Sequence, residues 1–524
     1  MPDCKFESRN ELNAKVLKGV NTLADNVAAT LGPKGRNVIL HQKGKDPIIT
    51  KDGVTVSAFV HLDDEFENAA AQILKQATSQ TNTMAGDGTT TATVLSRAIL
   101  NKAQRYITAG ASPVELKRGV DLAVEALVKE LQKNAQHIET LEDVENIATI
   151  SANNDRTIGK LIATAVDKAG KDGSITIEEA RSVETSLDLI EGFRVEAGYA
   201  AAAFVTDERR GACHYESPLL LITDNRIEAV DQILPALEIV SRDGRPLVIV
   251  AEEIEGQALA ALIMNTVRGS LKIAAVKAPF YGERRRNILQ DLALSTGAEF
   301  VASGGSVSLT NVKLEHFGQC RSIDITKVGT TVIGGKGDFE AIDRQIEFLK
   351  SELAQTDDLR DCEKIQERIT KLASGVAVIR VGAATEVEMI EKKHRIEDAL
   401  EAVKSAQQEG MVAGGGVALL RAATALASAL PENEDQQFGI DIVRAAIESP
   451  LRQMATNCGL SPDLILNMVQ SEESSVGYNF RTDEVVNMVE AGVIDPVKVT
   501  RTALQNAASA AGTLITTSHA IVEI

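Results

Sequence analysis

One stretch of the chain combines glycines, a carboxylate and threonines in an order typical of a phosphate site. Residues 85–95 read Ala-Gly-Asp-Gly-Thr-Thr-Thr-Ala-Thr-Val-Leu. Gly86 and Gly88 permit backbone angles that other residues resist, and they let a ligand approach the main chain closely. Asp87 has the type and position of a helix-capping residue, and the threonines begin a pattern that predicts a helix. The unpaired N–H groups of a first helical turn, together with the helix dipole, attract anions.

The side chains of this stretch add to the attraction for a nucleotide. The three threonine hydroxyls supply further hydrogen-bond donors, and Asp87 offers the hard oxygen that Mg²⁺ prefers. We therefore predict a Mg-nucleotide phosphate site here. The alternative is a capped helical turn with a flexible glycine lead-in, and this stretch alone does not exclude it.

Further carboxylates stand in glycine-flanked or helical surroundings, at Asp52, Asp398 and Asp495. Hydrolysis of ATP needs a cation held by hard oxygen, donors around the γ-phosphate and a carboxylate that orients water. The sequence supplies all three kinds of group, although spacing cannot show that they converge. No Gly-x-x-x-x-Gly-Lys-Ser/Thr motif is present in the sequence, so a nucleotide enzyme of this chain lies outside the P-loop class.

Composition narrows the class of protein. The chain has 524 residues, which predicts two to four domains, and its 44% hydrophobic and 25% charged residues are ordinary for a globular protein. The sequence has no apolar run long enough for a membrane span and no secretory signal, so we expect a cytoplasmic protein without a membrane partner. A net charge of −19, with 3% aromatic residues and no Trp, argues against nucleic-acid binding. Five scattered cysteines exclude a zinc site of the usual spacing and a disulfide framework.

Hydrophobic periodicity predicts helices in both terminal parts of the chain and alternating strands and helices in its centre. Predicted strands at 219–223, 247–251 and 271–276 are separated by helical patterns, which indicates an α/β domain with a parallel sheet. Other predicted helices cover 10–30, 66–81, 89–107, 342–353, 365–372, 396–408, 418–430, 440–454 and 499–511. The predicted fold class is therefore α plus α/β multidomain, with a helical domain in two halves, a smaller linking piece and an α/β insert.

Eight stretches give the whole chain a resemblance to the group I chaperonins, the GroEL family. They are residues 31–37, 50–53, 85–93, 149–153, 372–378, 381–386, 412–416 and 494–500. So many matches in the same order make the resemblance specific. It implies a chaperonin fold with an equatorial domain (1–133 with 409–524), an intermediate domain (134–190 with 377–408) and an apical domain (191–376). It also implies hinges at Gly192, Gly375 and Gly410.

The resemblance implies an ATP-dependent chaperone that encloses non-native polypeptides in a ring chamber, and hence an ATPase. Asp52 and Asp398 would position and activate the attacking water, and Asp398 would ride on the intermediate lever. Asp87 would hold Mg²⁺, and the backbone of Thr30 and Lys51 would hold K⁺. The implied nucleotide-binding residues are Thr30, Leu31, Gly32, Pro33, Lys51, Asp87, Gly88, Thr89, Thr90, Thr91, Gly415, Asn479 and Asp495.

The implied partners are other copies of the chain in a seven-membered ring (single or double), a GroES-type cochaperonin and non-native polypeptides. The polypeptides and the cochaperonin would bind an exposed apolar rim on the apical domain. Its implied members are Tyr199, Phe204, Leu234, Leu237, Leu259, Ile263 and Met264. Periodicity alone would assign Leu234, Leu237, Leu259 and Ile263 to the core, so only the resemblance turns these side chains outward.

Several residues depart from the family pattern. Ala200 to Ala203 replace larger residues beside the rim, Ala197 removes an arginine that would pair with Glu386, and Ser461 replaces an acid that would meet Arg452 across rings. Two alternatives therefore stay open. One is a divergent single-ring or holdase-like chaperonin with weak cycling, and the other is a small-molecule phosphotransferase that uses the same Gly-Asp-Gly loop.

Overall fold

The computed structural model describes residues 4–523 except 43, 45–46, 170–173, 181, 209, 306, 357, 374 and 474. The chain forms two compact units. The first comprises Met1–Thr164 and Gly382–Ile524, and the second comprises Ala165–Val381. The first unit thus contains the predicted equatorial segments and most of the predicted intermediate segments. The division into three domains stays a prediction.

The helices of the described chain are α1 (Arg9–Ala28), α2 (Gly53–Phe59), α3 (Glu65–Ala85), α4 (Thr89–Thr108), α5 (Pro113–Lys133), α6 (Leu141–Ser151), α7 (Arg156–Ala169), α8 (Val230–Asp243), α9 (Gly256–Val267), α10 (Gly282–Thr296), α11 (Phe339–Leu353), α12 (Leu359–Ala373), α13 (Glu386–Glu409), α14 (Val417–Ala422), α15 (Glu434–Ala446), α16 (Ser449–Asn457), α17 (Pro462–Gln470) and α18 (Val497–Thr516). Within the described ranges, none of these helices has both the length and the apolar character needed to cross a membrane.

The strands are β1 (Cys4–Ser8), β2 (Val38–Leu40), β3 (Ile48–Thr50), β4 (Ser174–Glu179), β5 (Ser186–Val195), β6 (Cys213–Glu216), β7 (Leu219–Ile222), β8 (Arg226–Ile227), β9 (Leu247–Ala251), β10 (Glu253–Ile254), β11 (Ile273–Lys277), β12 (Gly318–Ile325), β13 (Thr330–Gly335), β14 (Gly375–Val381), β15 (Met411–Ala413), β16 (Val476–Asn479), β17 (Glu484–Asn487), β18 (Ile494–Pro496) and β19 (His519–Glu523).

The core of the first unit is helical and draws on both ends of the chain. Buried leucines of α1, α3, α4 and α5 pack with apolar residues of α15 and with the alanine-rich face of α18. Glycines allow the closest of these contacts: a Cβ on Gly119 of α5 would lie 2.0 Å from the carbonyl oxygen of Gln436 in α15. The two sequence halves of the helical domain therefore share one core, as predicted.

One predicted helix, over residues 440–454, is wrong in its extent. The structure has two helices here, because α15 ends at Ala446 and α16 begins at Ser449. Pro450 explains the break. Proline lacks an N–H and its ring clashes with the carbonyl four residues earlier, so it fits the first turn of a helix and not the interior.

In its described residues the second unit is built on a nine-stranded sheet, with the order β11-β9-β7-β12-β13-β5-β14-β4 and with β6 also paired to β12. The strands β7, β9 and β11 are parallel, with Leu219 opposite Leu247 and Leu247 opposite Ile273. This confirms the predicted parallel α/β unit. The strands β12, β13 and β5 run antiparallel beside it. The helices predicted over 342–353 and 365–372 are also present, as α11 and α12, and they pack on each other through Leu349, Ile365 and Ile369.

The three predicted hinge glycines lie at element boundaries or pairing changes. Gly192 is the residue at which β5 changes partner, since Glu191 faces Gly375 of β14 and Gly192 faces Ile333 of β13. A Cβ on Gly192 would lie 2.2 Å from a methyl group of Val376. Gly410 ends α13 with φ +83°. Close packing therefore explains why position 192 is a glycine, and the left-handed backbone explains the glycine at position 410. Hinge movement about all three positions stays a prediction.

Candidate functional site

The loop between α3 and α4 has the glycine conformations that the sequence predicts. Gly86 ends α3 with φ +74°, and Gly88 begins α4 with φ +90°. Both angles lie in the left-handed region that favours glycine. A Cβ on Gly86 would lie 2.1 Å from the Cβ of Glu401 in α13. The loop is therefore fixed in shape by two turns and by a helix packed directly against it.

Asp87 does not cap α4, which corrects the sequence prediction. Gly88 takes the capping position, so Asp87 stands one residue too early to reach the N–H groups of the first helical turn. Its carboxylate accepts hydrogen bonds from the Gly88 N–H at 2.5 Å and from the Ser151 hydroxyl at 2.9 Å. Removal from water raises the pKa of Asp87, the two hydrogen bonds oppose that rise, and the nearby charge of Asp52 adds to it.

The threonines of the first turn divide into two groups. Thr90 and Thr91 line a cavity at the N-terminus of α4, and the hydroxyl of Thr90 lies 3.3 Å from that of Thr30. The side chain of Thr89 is buried and does not line this cavity, and its hydroxyl has no hydrogen-bond partner among the described residues. Thr90 and Thr91 are thus the threonines whose side chains can meet a ligand.

A second turn approaches the same helix N-terminus. Asp52 caps α2 by accepting hydrogen bonds from the N–H groups of Val54 and Thr55, at 3.1 and 3.0 Å. A Cβ on Gly53 would lie 2.3 Å from the hydroxyl oxygen of Thr90, so only glycine lets this turn come so close. Lys51 donates from Nζ to the carbonyl oxygen of Gly32 at 3.0 Å, and burial lowers the pKa of its amine.

One face of α13 forms another wall of the cavity. Asp398 lies on it together with Glu391, His394 and Arg395. Arg395 donates to Glu391 at 2.7 Å and to Asp155 at 3.2 Å. Sequence reasoning found only Asp398 on this face. The spacing of positions 391, 394, 395 and 398, which is that of one helical face, was the signal that could have found the rest.

The turn that follows α6 also reaches the cavity and was missed as a site element. Ser151, Asn153 and Asn154 line the cavity, and the two asparagines have φ of +57° and +65°. Asparagine is one of the few residue types besides glycine that adopts the left-handed region readily. Two adjacent asparagines directly after a helical pattern were a usable sequence signal, because they mark a sharp turn.

The predicted adenosine side of the site comes from the C-terminal half of the chain. Antiparallel pairing of β15 with β18 sets Val412 opposite Asp495, just before the glycine run that contains Gly415. Gly415 has φ +65°, and Asn479 ends β16 and accepts a hydrogen bond from the Arg481 N–H at 3.0 Å. Removal from water, reinforced by the charge of Asp87, raises the pKa of Asp495 to about 6.

All of these stretches line a single cavity of the first unit. It brings together Asp52, Asp398 and every predicted nucleotide-binding residue except Thr89. Those residues are Thr30, Leu31, Gly32, Pro33, Lys51, Asp87, Gly88, Thr90, Thr91, Gly415, Asn479 and Asp495. The predicted residues that converge on this one space come from seven separate parts of the sequence.

The residues of the cavity suit a cation that arrives with a nucleotide. Among the described residues there is no group of three or more His, Cys, Asp or Glu that could hold a metal ion by themselves. Mg²⁺ differs from most metals in this respect, because it is commonly held by one or two carboxylates plus substrate phosphates. Asp87, with one oxygen bonded to Gly88 and the other to Ser151, fits that requirement.

Comparison with protein families decides the relationship. The family model described as the TCP-1/cpn60 chaperonin family matches residues 23–233 and 226–524. The chain belongs to this chaperonin family. That membership supports a chaperone function, and the assembly typical of the family is an oligomeric ring.

Two crystal structures of a phage chaperonin have the same fold as this chaperonin. They are two crystal forms of the chaperonin gp146 from the bacteriophage EL 2 (Pseudomonas aeruginosa), each in the presence of ATP-BeFx. Form II is 20% identical with a TM-score of 0.68, and form I is 19% identical with a TM-score of 0.63. Each comparison covers 99% of this chain and 99% of the phage chain. At this identity the likeness establishes the chaperonin fold.

The predicted apical rim of the chaperonin divides into exposed and buried side chains, all in the second unit. Leu234 and Met264 are 46% and 48% exposed, and Tyr199, Leu259 and Ile263 are half-buried. Phe204 and Leu237 are buried in the core of the unit. The exposure implied for Phe204 and Leu237 is therefore wrong, because both side chains belong to the apolar core that the sheet of this unit shares with α8 and with the short 3-10 helix at Ala202–Phe204.

Proposed function

We propose that this chaperonin binds ATP with Mg²⁺ in the cavity of its first unit and hydrolyses it to drive a folding cycle on non-native polypeptides. The observation that carries the proposal is the convergence of Asp52, Asp87 and Asp398 on one cavity at the N-terminus of α4. These residues come from three separate parts of the sequence, and the resemblance implies that they serve one reaction.

The phosphate end of the nucleotide belongs at the N-terminus of α4. This helix has 20 residues, and its first turn carries the unpaired N–H groups and the positive end of the dipole. The hydroxyls of Thr90 and Thr91 and the amine of Lys51 add donors at the same place. The adenosine end belongs beside Gly415, Asn479 and Asp495 on the opposite sequence half.

Asp87 would hold Mg²⁺, which supplies neutralisation of the phosphate charge when it is bound. The backbone of Thr30 and Lys51, both in the cavity wall, is proposed to hold K⁺. Asp52 and Asp398 position the attacking water and accept its proton. Because Asp398 is supplied by α13, hydrolysis would depend on the position of that helix, which is a gating step.

Substitution of Asp398 tests the ATPase proposal. We expect Asp398→Ala to slow phosphate release at least about tenfold and to leave nucleotide affinity within about twofold, because the carboxylate acts on water and not on binding. Glu388→Ala is the matched control, an exposed carboxylate on α13 outside the cavity. Unchanged turnover in Asp398→Ala would contradict the role. Phosphate release to water without any acceptor would eliminate a phosphotransferase.

The ring and the chaperone cycle have support from exposed apolar surface. In the first unit, β2 with β3 and β1 with β19 form two-stranded sheets whose outer edges are unpaired within the described chain. Ile39 is 69% exposed and Phe6 is 70% exposed. Such edges pair readily with another chain, so we propose that they join copies of the chain in a seven-membered ring. Leu234 and Met264 are proposed to contact polypeptides and a GroES-type cochaperonin.

A specific observation favours a single ring as the second candidate. Arg452, which the resemblance pairs with an acid across rings, donates within the chain to Glu448 at 2.9 Å and to Asp463 at 2.6 Å. Ser461 offers no carboxylate in exchange. Native mass measured with and without Mg-ATP distinguishes the candidates. A species near fourteen subunits supports a double ring, and one of seven or fewer supports the single-ring alternative. The cytoplasmic location stays a prediction from the sequence.

A further inference from the structure

Ser151 is the one residue of α6 that reaches the carboxylate of Asp87. It is the last residue of that helix, and its hydroxyl donates to Oδ2 of Asp87 at 2.9 Å. The backbone N–H of Gly88 donates to the other oxygen, Oδ1, at 2.5 Å. The carboxylate is therefore held by one donor from its own loop and one from a helix 64 positions away in sequence.

A carboxylate held in this way keeps its orientation before any ligand arrives. Each oxygen retains a lone pair after accepting one hydrogen bond, so the group can still bind a cation. Groups that hydrogen-bond a metal ligand set its orientation, and their loss commonly costs about 10- to 100-fold in metal affinity. The Ser151 hydroxyl also offsets part of the cost of keeping this charge away from water.

We propose that Ser151 is a positioning residue for the divalent cation that accompanies the nucleotide. Its hydroxyl fixes Oδ2 of Asp87 and thereby sets the affinity of the cavity for the metal. This inference rests on the proposed function, and it adds a residue that acts through Asp87 and does not itself contact the nucleotide phosphates.

The position of Ser151 links the cation to α13. The turn after Ser151 contains the left-handed Asn153 and Asn154, both of which line the cavity. Asp155 follows and accepts a hydrogen bond from Arg395 of α13. The segment from Ser151 to Asp155 thus contacts the carboxylate of Asp87 at one end and Arg395 of α13 at the other. Movement of α13 would change the hold on Asp87.

Ser151→Ala tests the inference, with Ser405→Ala as the matched control. The Ser405 hydroxyl is buried and donates at 2.8 Å to the carbonyl oxygen of Ala85, the last residue of α3, next to the same loop but away from the carboxylate. The first measurement is the free Mg²⁺ concentration at which ADP binding, monitored by calorimetry, is half-maximal. The second uses Mn²⁺ in place of Mg²⁺ and monitors its binding with ADP by electron paramagnetic resonance. Affinity for ADP in EDTA is measured in parallel.

We expect Ser151→Ala to raise the half-saturating Mg²⁺ about tenfold and to change the affinity for ADP in EDTA less than twofold. Ser151→Thr, which keeps the hydroxyl, restores the unmodified value, and Ser405→Ala leaves it within twofold. An unchanged Mg²⁺ requirement in folded Ser151→Ala overturns the inference, as does an equal shift in Ser405→Ala. Failure of the unmodified chain to bind Mg-ADP overturns the inference together with the proposed function.

Discussion

In the cavity of the first unit, turns present much of the polar lining, whereas the apolar surface on α8 and α9 of the second unit is built from helix faces. In the cavity, the positive φ angles of Gly86, Gly88 and Gly415 fix the backbone that presents the polar groups. On α8, by contrast, Leu234 is exposed and Leu237, three residues later, is buried. A glycine that a turn requires keeps that role whatever packs around the turn, while the role of an apolar helix residue depends on what it packs against.

The two regions also differ in what they cost the fold. The cavity gathers carboxylates away from water, and the pKa values of both Asp87 and Asp495 are raised. The buried residues beside α8 and α9 contribute apolar burial, which stabilises the unit. Removal of a buried carboxylate from the cavity and removal of an apolar side chain from the core should therefore change stability in opposite directions, and four experiments examine this contrast.

The largest effect is expected in the core of the second unit. Phe204→Ala should lower the free energy of unfolding by about 3–5 kcal/mol, because Phe204 is completely buried and its loss leaves a cavity. Phe339→Ala is the control in the same unit, since Phe339 is 58% exposed and should change stability little. Chemical unfolding followed by circular dichroism measures both, and equal losses would show that Phe204 is not a core residue.

A somewhat smaller effect is expected in the loop of the cavity. Gly86→Ala should cost about 2–4 kcal/mol, since it combines left-handed strain with a Cβ placed 2.1 Å from the Cβ of Glu401. Gly110→Ala isolates the strain alone, because Gly110 has φ +101° and open space around it, and it should cost about 1–2 kcal/mol. Equal losses in the two variants would contradict the close packing of α13 on this loop.

Asp495→Asn should raise the free energy of unfolding, whereas the variants above lower it. The pKa of Asp495 is about 6 in the folded chain, whereas its ordinary value is 3.8. Between these two pH values the folded chain binds more protons than the unfolded chain. Stability is therefore lost as the pH rises through about 6. The variant should therefore be more stable than the unmodified nucleotide-free chain by about 1–3 kcal/mol at pH 8, and similar to it below pH 4. Melting curves across this pH range test the prediction, and a constant difference at every pH would refute it.

The smallest effect on stability is expected for the exposed apolar residues. Leu234→Ser and Met264→Ser should change the free energy of unfolding by less than about 1 kcal/mol, because both side chains are about half exposed. If they contact non-native polypeptides, each should weaken capture of a denatured model protein about fivefold. Light scattering by the denatured protein measures this capture. Unchanged capture in both variants would show that Leu234 and Met264 lie on a solvent-exposed helix face and not on a binding surface.

Much of the fold could be predicted from the sequence, because long segments with a clear period define their own secondary structure. The helices α3, α4 and α18 and the parallel strands β7, β9 and β11 were predicted close to their observed bounds. The helix α5 was not predicted at all. The break at Pro450 was also missed, although proline in the middle of a predicted helix is a recognisable signal.

For the cavity, the sequence by itself determined the chemistry of the residues and the shape of the turns. Glycines at positions 86, 88 and 415 require particular backbone angles, and that requirement is local. Only the tertiary structure decided that Ser151 bonds Asp87 and that Thr89 and Phe204 are buried. These outcomes depend on contacts between residues far apart in sequence, and no local pattern of types or spacing encodes which distant side chain will fill a given place.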